Sequence, residues 1–318
     1  MEPNLSVPLS QISLPTAHGA RKHTANSTTF EAWVTPEARR ASKQLMSKQE
    51  TPLPVTSSIE PEWASDARAC YQGVIRALQC ARVPFAVSGG FAFHHHTGIW
   101  RATKDLDLVM VPSAVPEAFE ILVQQNFETY IQDPVWLAKA RRGDYFVDII
   151  TGVGNATMPV EESWLDRAVD DEILGIPCKV IGPEELIASK LFVTRRERFD
   201  GADIAHLVRA RGRHLDWDRL QELTDPHWEM LYWSLVLFAY VYPAHVALVP
   251  KSVWSDLTHR FLEHVKNPSQ AEPFRGSLVD PKMFAIDVNE WGERDLYREL
   301  CETYPQPLPS EGTTRGKE

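Results

Sequence analysis

The chain has 318 residues, with 33 basic and 43 acidic side chains and a formal net charge of −10. Its content of 43% hydrophobic and 24% charged residues is ordinary for a globular protein and excludes a collagen-like, coiled-coil or wholly disordered chain. The acidic balance argues against a general nucleic-acid coat, and against stable DNA binding, because neutralising phosphates takes clustered Lys and Arg.

The N-terminal part of the chain divides into a tail and a first structured segment. Residues 1–60 contain eight Ser, seven Thr and six Pro without a sustained apolar period, a composition that predicts a disordered tail because it cannot offset the entropy of ordering. Acids and a proline at 60–62 favour the start of a helix. A short buried strand then ends in a glycine turn at 88–90, and a short helix is expected over 91–97.

The middle of the chain favours strands. The run that begins at Asp105 alternates carboxylate and apolar residues before it becomes wholly apolar, which is typical of a strand with one functional end. A helix is expected over 115–125. A hairpin follows, with strands over 135–140 and 145–150 around the turn Arg-Arg-Gly-Asp. One more strand is expected over 173–181.

After Pro183 the pattern becomes helical. The predicted helices, which would form a bundle, lie near 184–197, 200–211, 216–224, 227–242 and 252–265. A loose alternation predicts one strand within 274–291, and residues from Pro305 onward form a polar tail. The fold class expected is α/β (α+β). Its predicted parts are the tail 1–60, a small mixed-sheet core over 61–182, a helical domain over 183–268 and a C-terminal extension over 269–318 whose end is disordered.

The segment 231–249 is apolar enough to suggest a membrane span. It contains no Asp, Glu, Lys or Arg and approaches the length of about 20 residues that crosses a bilayer. Pro243 and His245 interrupt it, so we expect a buried core helix that ends near Tyr242, and no membrane association.

A glycine turn is the first feature with chemical meaning. In Ser88-Gly89-Gly90 the glycines allow backbone N–H groups to approach a phosphate closely, and the N-terminus of the following helix favours negative charge. Many Gly-Gly pairs are only turns, so this feature alone leaves both interpretations open.

Carboxylates on two predicted strands are the second feature. Asp105 and Asp107 share a strand face and suit Mg²⁺, unless they form a solvated edge or are neutralised by Lys104 and Arg101. Asp148 interrupts an apolar strand, which is unfavourable unless it is paired or bound to a metal; a cap at the strand end is the alternative. If the strands are neighbours, the three carboxylates can hold two metal ions, or one metal beside a general base.

The order of these features resembles the nucleotidyltransferase superfamily that includes polymerase β. A Gly-Gly pair precedes an Asp-x-Asp strand, here with 14 residues between them, and a lone Asp follows in a later apolar strand. The local pattern Gly-Gly-x-Ala…Arg-x-Thr-x-Asp-x-Asp is most similar to bacterial nucleotidyltransferases related to the AbiEii toxin group. The similarity extends to Lys190 and to the run Asp200-Gly-Ala-Asp203, and covers about residues 83–220.

The resemblance implies a role for each matching residue. Asp105 and Asp107 would bind the Mg²⁺ (or Mn²⁺) that bridges a triphosphate. Asp148 would join a second metal or activate the acceptor hydroxyl, so these three are the implied catalytic and metal-binding residues. The implied nucleotide-binding residues are Ser88, Gly89, Gly90, Arg101, Thr103 and Lys190, the last of them at the β- and γ-phosphates.

Other candidate residues carry less weight. At most one of the three histidines at 94–96 can face a given site, because consecutive helical residues point about 100° apart, and a packing role is expected for them. Asp200 and Asp203 share a helix face and are expected to pair with nearby arginines, with a role facing the site as the alternative for Asp203. The best basic patch is either a solvated helix face or a docking point for RNA or nucleotide, and consists of Arg195, Arg196 and Arg198.

These observations predict a metal-dependent nucleotidyltransferase. It would move an NMP from an NTP to a hydroxyl of an RNA, a protein or a small molecule, with release of pyrophosphate. The alternative is a catalytically silent protein that binds nucleotide and metal and regulates a system of toxin–antitoxin type. Four scattered cysteines without a Cys-x-x-Cys pair, and an N-terminus without a secretory signal, predict a cytoplasmic protein with free thiols. The resemblance implies a bacterial one.

Overall fold

The computed structural model describes residues 63–100, 105–195, 198–269 and 271–304. The predictions for 1–60, for the helix start at 60–62 and for the tail from Pro305 lie outside these residues. The strands are β1 (Ala86–Val87), β2 (Asp105–Val109), β3 (Glu128–Asp133), β4 (Leu137–Arg142), β5 (Tyr145–Ile150), β6 (Val169–Ile173), β7 (Ile176–Val180), β8 (Thr194–Arg195) and β9 (Arg198–Phe199).

Helices surround the strands and make up most of the second half. The α-helices are α1 (Ser65–Ala81), α2 (Gly89–Thr97), α3 (Val115–Gln124), α4 (Glu162–Asp166), α5 (Pro183–Lys190), α6 (Gly201–Arg211), α7 (Trp217–Thr224), α8 (Trp228–Val241), α9 (Lys251–Lys266), α10 (Gly276–Val279), α11 (Ala285–Asn289) and α12 (Leu296–Thr303). Short 3₁₀ turns lie at Pro112–Ala114, Asp225–His227 and Pro243–Leu248. The fold class is therefore α/β, as the sequence predicted.

Seven strands form one mixed sheet in the order β3-β4-β5-β2-β1-β7-β6. At its centre β2 runs antiparallel to β1 and parallel to β5, and β1 runs parallel to β7. The apolar side chains of the central strands are fully buried, as the 0% exposure of Leu106, Leu108, Val147 and Ile149 shows. Strands buried in this way stabilise the fold mainly by removing apolar surface from water. They also hold the polar side chains that alternate with the buried ones in fixed positions.

The predicted hairpin is present as β4 and β5. Arg142 pairs with Tyr145, so the connection is the two-residue turn Gly143-Asp144, where Gly143 has a φ of +62°. The sequence analysis missed β3, which pairs with β4 at the edge of the sheet. Its sequence, Glu-Thr-Tyr-Ile-Gln-Asp, is largely polar because an edge strand is only partly covered.

The strand predicted over 173–181 is instead a hairpin of β6 and β7. Ile173 pairs with Ile176 across the turn Leu174-Gly175. Both turn residues have positive φ, 53° and 84°, which is the backbone that a tight two-residue hairpin requires. The prediction extended one strand through this turn because Leu174 continues the apolar pattern.

The helices of the second half lie where they were predicted, except that one of them ends earlier than expected. α5 stops at Lys190 rather than at 197, and the chain turns into the small hairpin of β8 and β9. Helix α2 packs against β2, α5 and α6, whereas α1 packs against α3 and β7. Helix α2 thus connects the sheet to the helices that follow it.

The prediction of a strand within 274–291 is wrong. The chain there forms α10 and α11, and the one backbone bridge found for this segment among the described residues joins Phe274 to Asp295. Met283 and Ile286 are 60% and 43% exposed, so the apolar alternation does not correspond to a buried strand face.

Helix α8 is only half buried. It ends at Val241, close to the predicted Tyr242, and its buried face consists of Leu231, Ser234, Leu235 and Phe238. On the other face Trp233 and Tyr240 are 45% and 85% exposed, so the expectation of a core helix holds for one face. Within the ranges that the structure describes, no helix combines the length and apolarity needed to span a membrane.

Candidate active site

Three carboxylates meet at the centre of the sheet. Asp105 and Asp107 lie on the same face of β2, and Asp107 pairs in register with Asp148 on the parallel strand β5. Each residue offers one oxygen to a group whose members lie within 4.8 Å of one another. The structure thus brings together the three residues that were predicted as one cluster, here called the carboxylate trio; their catalytic and metal-binding roles remain a prediction.

The glycine turn between β1 and α2 lies against the carboxylate trio. The Ser88 backbone N–H donates to the Asp107 carbonyl oxygen at 2.9 Å, which ties the end of β1 to β2. Gly89 has a φ of +57°, and a Cβ at this position would overlap the Asp107 carboxylate. Glycine alone lets the backbone pass this closely. The first turn of α2, whose N–H groups are not used within the helix, therefore begins beside the trio.

The electrostatics of the trio are unfavourable without a cation. Burial, together with the charges of Asp105 and Asp148, raises the pKa of Asp107 to about 7. Burial also raises the pKa of Asp148, although the hydrogen bond and the charge of Lys139 act in the opposite direction. Like charges this close disfavour simultaneous ionisation of the carboxylates.

The donor set of the trio fits a hard divalent cation. Mg²⁺ in proteins is held by one or two carboxylates, with phosphate oxygens of the substrate and water completing its shell, and Mn²⁺ accepts the same oxygen donors. Asp105 and Asp107 supply such a pair from a rigid strand. Burial, with the neighbouring charges of Asp105 and Asp148, raises the pKa of Asp107, and a bound divalent cation would favour its ionised form.

Lys139 is a residue of the site that the sequence analysis missed. It lies on β4 directly opposite Asp148, and its Nζ donates to both carboxylate oxygens, at 2.7 Å to Oδ1 and 2.9 Å to Oδ2. The predicted hairpin could not identify it, because a four-residue turn at 141–144 pairs Leu137 with Asp148, whereas the observed two-residue turn Gly143-Asp144 shifts the register by two residues and places Lys139 there.

Lys190 lies at the end of α5 in a second group of charges. Its Nζ is 2.8 Å from Asp200 Oδ2 and 3.0 Å from Asp203 Oδ2, and all three residues are buried. Asp200 also accepts from Arg198 at 3.1 Å, which confirms the expected arginine partner. Burial alone would raise the pKa of Asp200, but the Lys190 and Arg198 charges bring it below its usual value.

One cavity of about 720 Å³ joins both groups of charges to the glycine turn. Arg195 and Arg198 also line it, and these two residues of the basic patch lie on the hairpin of β8 and β9 rather than on a helix. Of the predicted site residues, Arg101 and Thr103 lie outside the described residues, as does Arg196 of the patch. The predicted residues that line the cavity are Ser88, Gly89, Gly90, Asp105, Asp107, Asp148 and Lys190.

An uncharged wall of this cavity lies beyond Asp148. Trp136 packs on the backbone of Gly154, where a Cβ would come within 3.0 Å of the indole. The buried Asn155 donates from Nδ2 to the Leu278 carbonyl at 3.1 Å, which joins the C-terminal segment to this wall. The sequence analysis did not single out the residues of this wall, Trp136, Gly154, Asn155 and Leu278, because no charge or motif marks them.

The three consecutive histidines of α2 have local partners. His94 stacks on Trp100 with ring centroids 3.9 Å apart, His95 contacts the Asp171 carboxylate, and His96 is bonded through Nε2 to the Ile181 carbonyl at 2.8 Å. None of the three is among the described residues that line the cavity, in agreement with the packing role expected for them.

The solved structures that this chain matches are distant in sequence. The antibiotic-resistance factor ANT(2'')-Ia is 15% identical, with 56% of this chain and 99% of that chain covered and a TM-score of 0.39. The lincosamide antibiotic adenylyltransferase LnuA, solved with lincomycin, is 12% identical, with 44% and 94% covered and a TM-score of 0.33. An antigenic nucleotidyltransferase-like protein from Paracoccidioides brasiliensis is 17% identical, with 58% and 93% covered and a TM-score of 0.35.

A family profile identifies the family of this chain from its sequence. No curated protein matches the chain. The profile of the family described as "Nucleotidyl transferase of unknown function (DUF2204)" matches residues 67–229, just over half of the 318 residues. The matched range runs from α1 to the start of α8 and includes the carboxylate trio, the glycine turn and Lys190. The chain therefore belongs to this nucleotidyl transferase family.

Proposed function

We propose that the protein transfers an NMP from an NTP to an acceptor hydroxyl and releases pyrophosphate. The observation that carries this proposal is the convergence of Asp105, Asp107 and Asp148 beside the left-handed Gly89, in a chain of a nucleotidyl transferase family. Two carboxylates on one strand, a third on its neighbour and a helix N-terminus at one cavity suit a reaction on a phosphate ester.

Asp105 and Asp107 are the proposed ligands of Mg²⁺ or Mn²⁺. When bound, the ion would neutralise the charge that develops on the phosphate oxygens and on the leaving pyrophosphate. Both ligands lie on a central strand whose neighbouring side chains are fully buried, so the chain holds them in place before substrate arrives. Such preorganisation lowers the reorganisation needed at the moment of reaction.

The triphosphate is proposed to lie along the glycine turn. Ser88, Gly89 and Gly90 would bind its oxygens through backbone N–H groups at the start of α2. Lys190 would face the β- and γ-phosphates, held in the cavity by Asp200 and Asp203. Roles for Arg101 and Thr103 on the same substrate remain predictions from the resemblance.

The acceptor hydroxyl is proposed to approach from the Asp148 side. Its oxygen attacks the α-phosphorus, the bond to the β-phosphate oxygen breaks, and the hydroxyl proton passes to an Asp148 carboxylate oxygen. The acceptor would then lie against the uncharged wall of Trp136, Gly154, Asn155 and Leu278. The chemical classes open to it are a small molecule, a protein or an RNA end.

The subfamily and the cellular location of the protein are also proposals. We infer kinship with the bacterial AbiEii-like nucleotidyltransferases, supported by the order of Lys190, Asp200 and Asp203, which the fold gathers into one group of ion pairs. A cytoplasmic location is supported by the four cysteines, all of them free thiols, since disulfides are rare in a reducing compartment.

Label transfer tests the proposed function. The protein would be incubated with each α-³²P-labelled NTP, Mg²⁺ or Mn²⁺ and a cell extract as the source of acceptors. Asp105→Asn and Asp107→Asn should abolish labelling, whereas Asp170→Asn, at an 87% exposed carboxylate of β6, should leave it unchanged.

The products separate the two candidate functions. Label on RNA, protein or a small molecule that depends on Asp105 and Asp107 would establish the reaction and the acceptor class together. Nucleotide binding that survives Asp148→Ala, with no labelled product from any extract, would favour the silent regulatory protein instead.

A further inference from the structure

An ammonium group occupies one side of the carboxylate trio. Lys139 Nζ lies within 2.9 Å of both oxygens of Asp148, and the side chains of Lys139 and Asp148 are only 17% and 13% exposed. Separating the partners of an ion pair shielded from solvent in this way costs more than separating a surface pair, because each charge is left without its counterion. Asp148 is therefore already engaged by a cation that the chain itself supplies.

The sheet places this cation in line with the carboxylates. Lys139 pairs with Asp148 across β4 and β5, and Asp148 pairs with Asp107 across β5 and β2. The three residues form one row across neighbouring strands, with Asp148 in the middle. Strand β4, which carries Lys139, lies on the side of β5 away from β2 and Asp107, and the two hydrogen bonds hold the ammonium on Asp148.

We propose that Lys139 takes the place of a second divalent ion, so that the carboxylate trio binds one divalent ion, on Asp105 and Asp107. This inference rests on the proposed function. In sites with two ions the metals lie about 3.5–4 Å apart and share carboxylates. A second ion bound to Asp148 would lie next to the Lys139 ammonium, and like charges in a half-buried site repel strongly because solvent screens them little.

The two possible roles of Lys139, replacing a second ion or only stabilising Asp148, differ in the number of divalent ions that the carboxylate trio binds. A lysine that only stabilises Asp148 would move aside when divalent ions bind, and two ions would then occupy the trio. A lysine that replaces the second ion keeps its position, and the number of bound ions stays at one. Counting the ions therefore separates the two roles without any measurement of turnover.

Electron paramagnetic resonance with Mn²⁺ alone provides the test. Two Mn²⁺ ions that share carboxylates at about 3.5–4 Å give a spin-coupled spectrum, whereas a single ion gives an isolated hyperfine pattern. We expect one bound Mn²⁺ per chain and no coupled signal in the wild-type protein. Lys139→Met should bind a second Mn²⁺ and show the coupled spectrum at saturation.

Control variants keep the result interpretable. Lys139→Arg retains the positive charge and should show one isolated ion. Lys179→Met removes a lysine paired with Asp170 at the opposite end of the sheet and should match the wild-type protein. Thermal unfolding would show whether each variant is folded.

Two outcomes would overturn the proposal. A coupled Mn²⁺ pair in the wild-type protein would do so even if Lys139→Met failed to fold, and a folded Lys139→Met with one isolated ion would do so as well. Failure of the proposed function looks different, since no labelled product would then form from any NTP or extract, whereas the wild-type protein and Lys139→Met would still differ in the number of bound Mn²⁺ ions.

Discussion

The carboxylate of Asp107 occupies the space that a side chain at residue 89 would need. Gly89 combines this close approach with a φ of +57°, so two independent constraints require glycine at the same position. The backbone turn and the central carboxylate are consequently built as one unit, with the Ser88 N–H bonded to the Asp107 carbonyl as a further tie.

Gly89→Ala should impair both stability and activity. The left-handed backbone alone would lower the free energy of unfolding by about 1–2 kcal/mol, and displacement of the Asp107 carboxylate should reduce label transfer by about 100-fold. Urea unfolding and the label-transfer assay would measure the two effects. The control is Gly73→Ala in α1, where a Cβ meets open space, and it should raise stability by about 0.5–1 kcal/mol. Full activity in Gly89→Ala would contradict the geometry described.

The proton that Asp107 binds in the folded protein should stabilise the metal-free protein less and less as the pH rises toward 7. The pKa of Asp107 is raised to about 7 from 3.8 in the folded state, so between these values the folded chain binds a proton that the unfolded chain has released. The stabilisation from this proton is complete below about pH 4 and is lost as the pH rises through about 7. Thermal unfolding in a chelator across this range, compared with Asp107→Asn, isolates the contribution. Equal pH slopes in the two proteins would contradict it, and Mg²⁺ should flatten the wild-type slope.

His96 should make the protein sensitive to acid. Burial lowers the pKa of this histidine to about 4 from 6.5, and its Nδ1 is a buried atom without a hydrogen-bond partner among the described residues. The unfolded chain takes up a proton first, so stability present above pH 6.5 is lost progressively as the pH falls toward 4. His96→Gln should have a shallower pH dependence of the unfolding free energy over that interval. A slope unchanged by the substitution would show that other groups cause the acid loss.

Lys190→Met should be strongly destabilising. The substitution removes the ammonium from two buried carboxylates, Asp200 and Asp203, and breaking a buried ion pair from one side costs about 3–5 kcal/mol. Lys266→Met, at an exposed pair with Glu263, is the matched control and should change stability by less than about 1 kcal/mol. Urea unfolding of both variants checks the difference. Similar small losses would indicate that the group of charges around Lys190 is well hydrated.

Local patterns in the sequence were sufficient for much of the fold. Alternation placed Asp105 and Asp107 on one strand face, because side chains two apart on a strand point the same way. The turn before Tyr145 predicted the hairpin of β4 and β5, but the predicted four-residue turn pairs Leu137 with Asp148, and only the observed two-residue turn places Lys139 there. Helix starts such as the one at Pro183 depend on the first turn alone, and the structure agrees with them.

Long-range pairing was decided only by the tertiary structure. That β2 and β5 are neighbours, and hence that Asp148 joins Asp107, depends on strands that are far apart in the chain, and alternation within each strand carries no information on its partner. The same holds for α8, where the sequence is apolar on every side and only packing selects the buried face. Lys190 shows the limit most clearly. The resemblance implied a charge near the phosphates at this position, but the buried contacts of Lys190 with Asp200 and Asp203 arise because the turn after α5 brings α6 back against it.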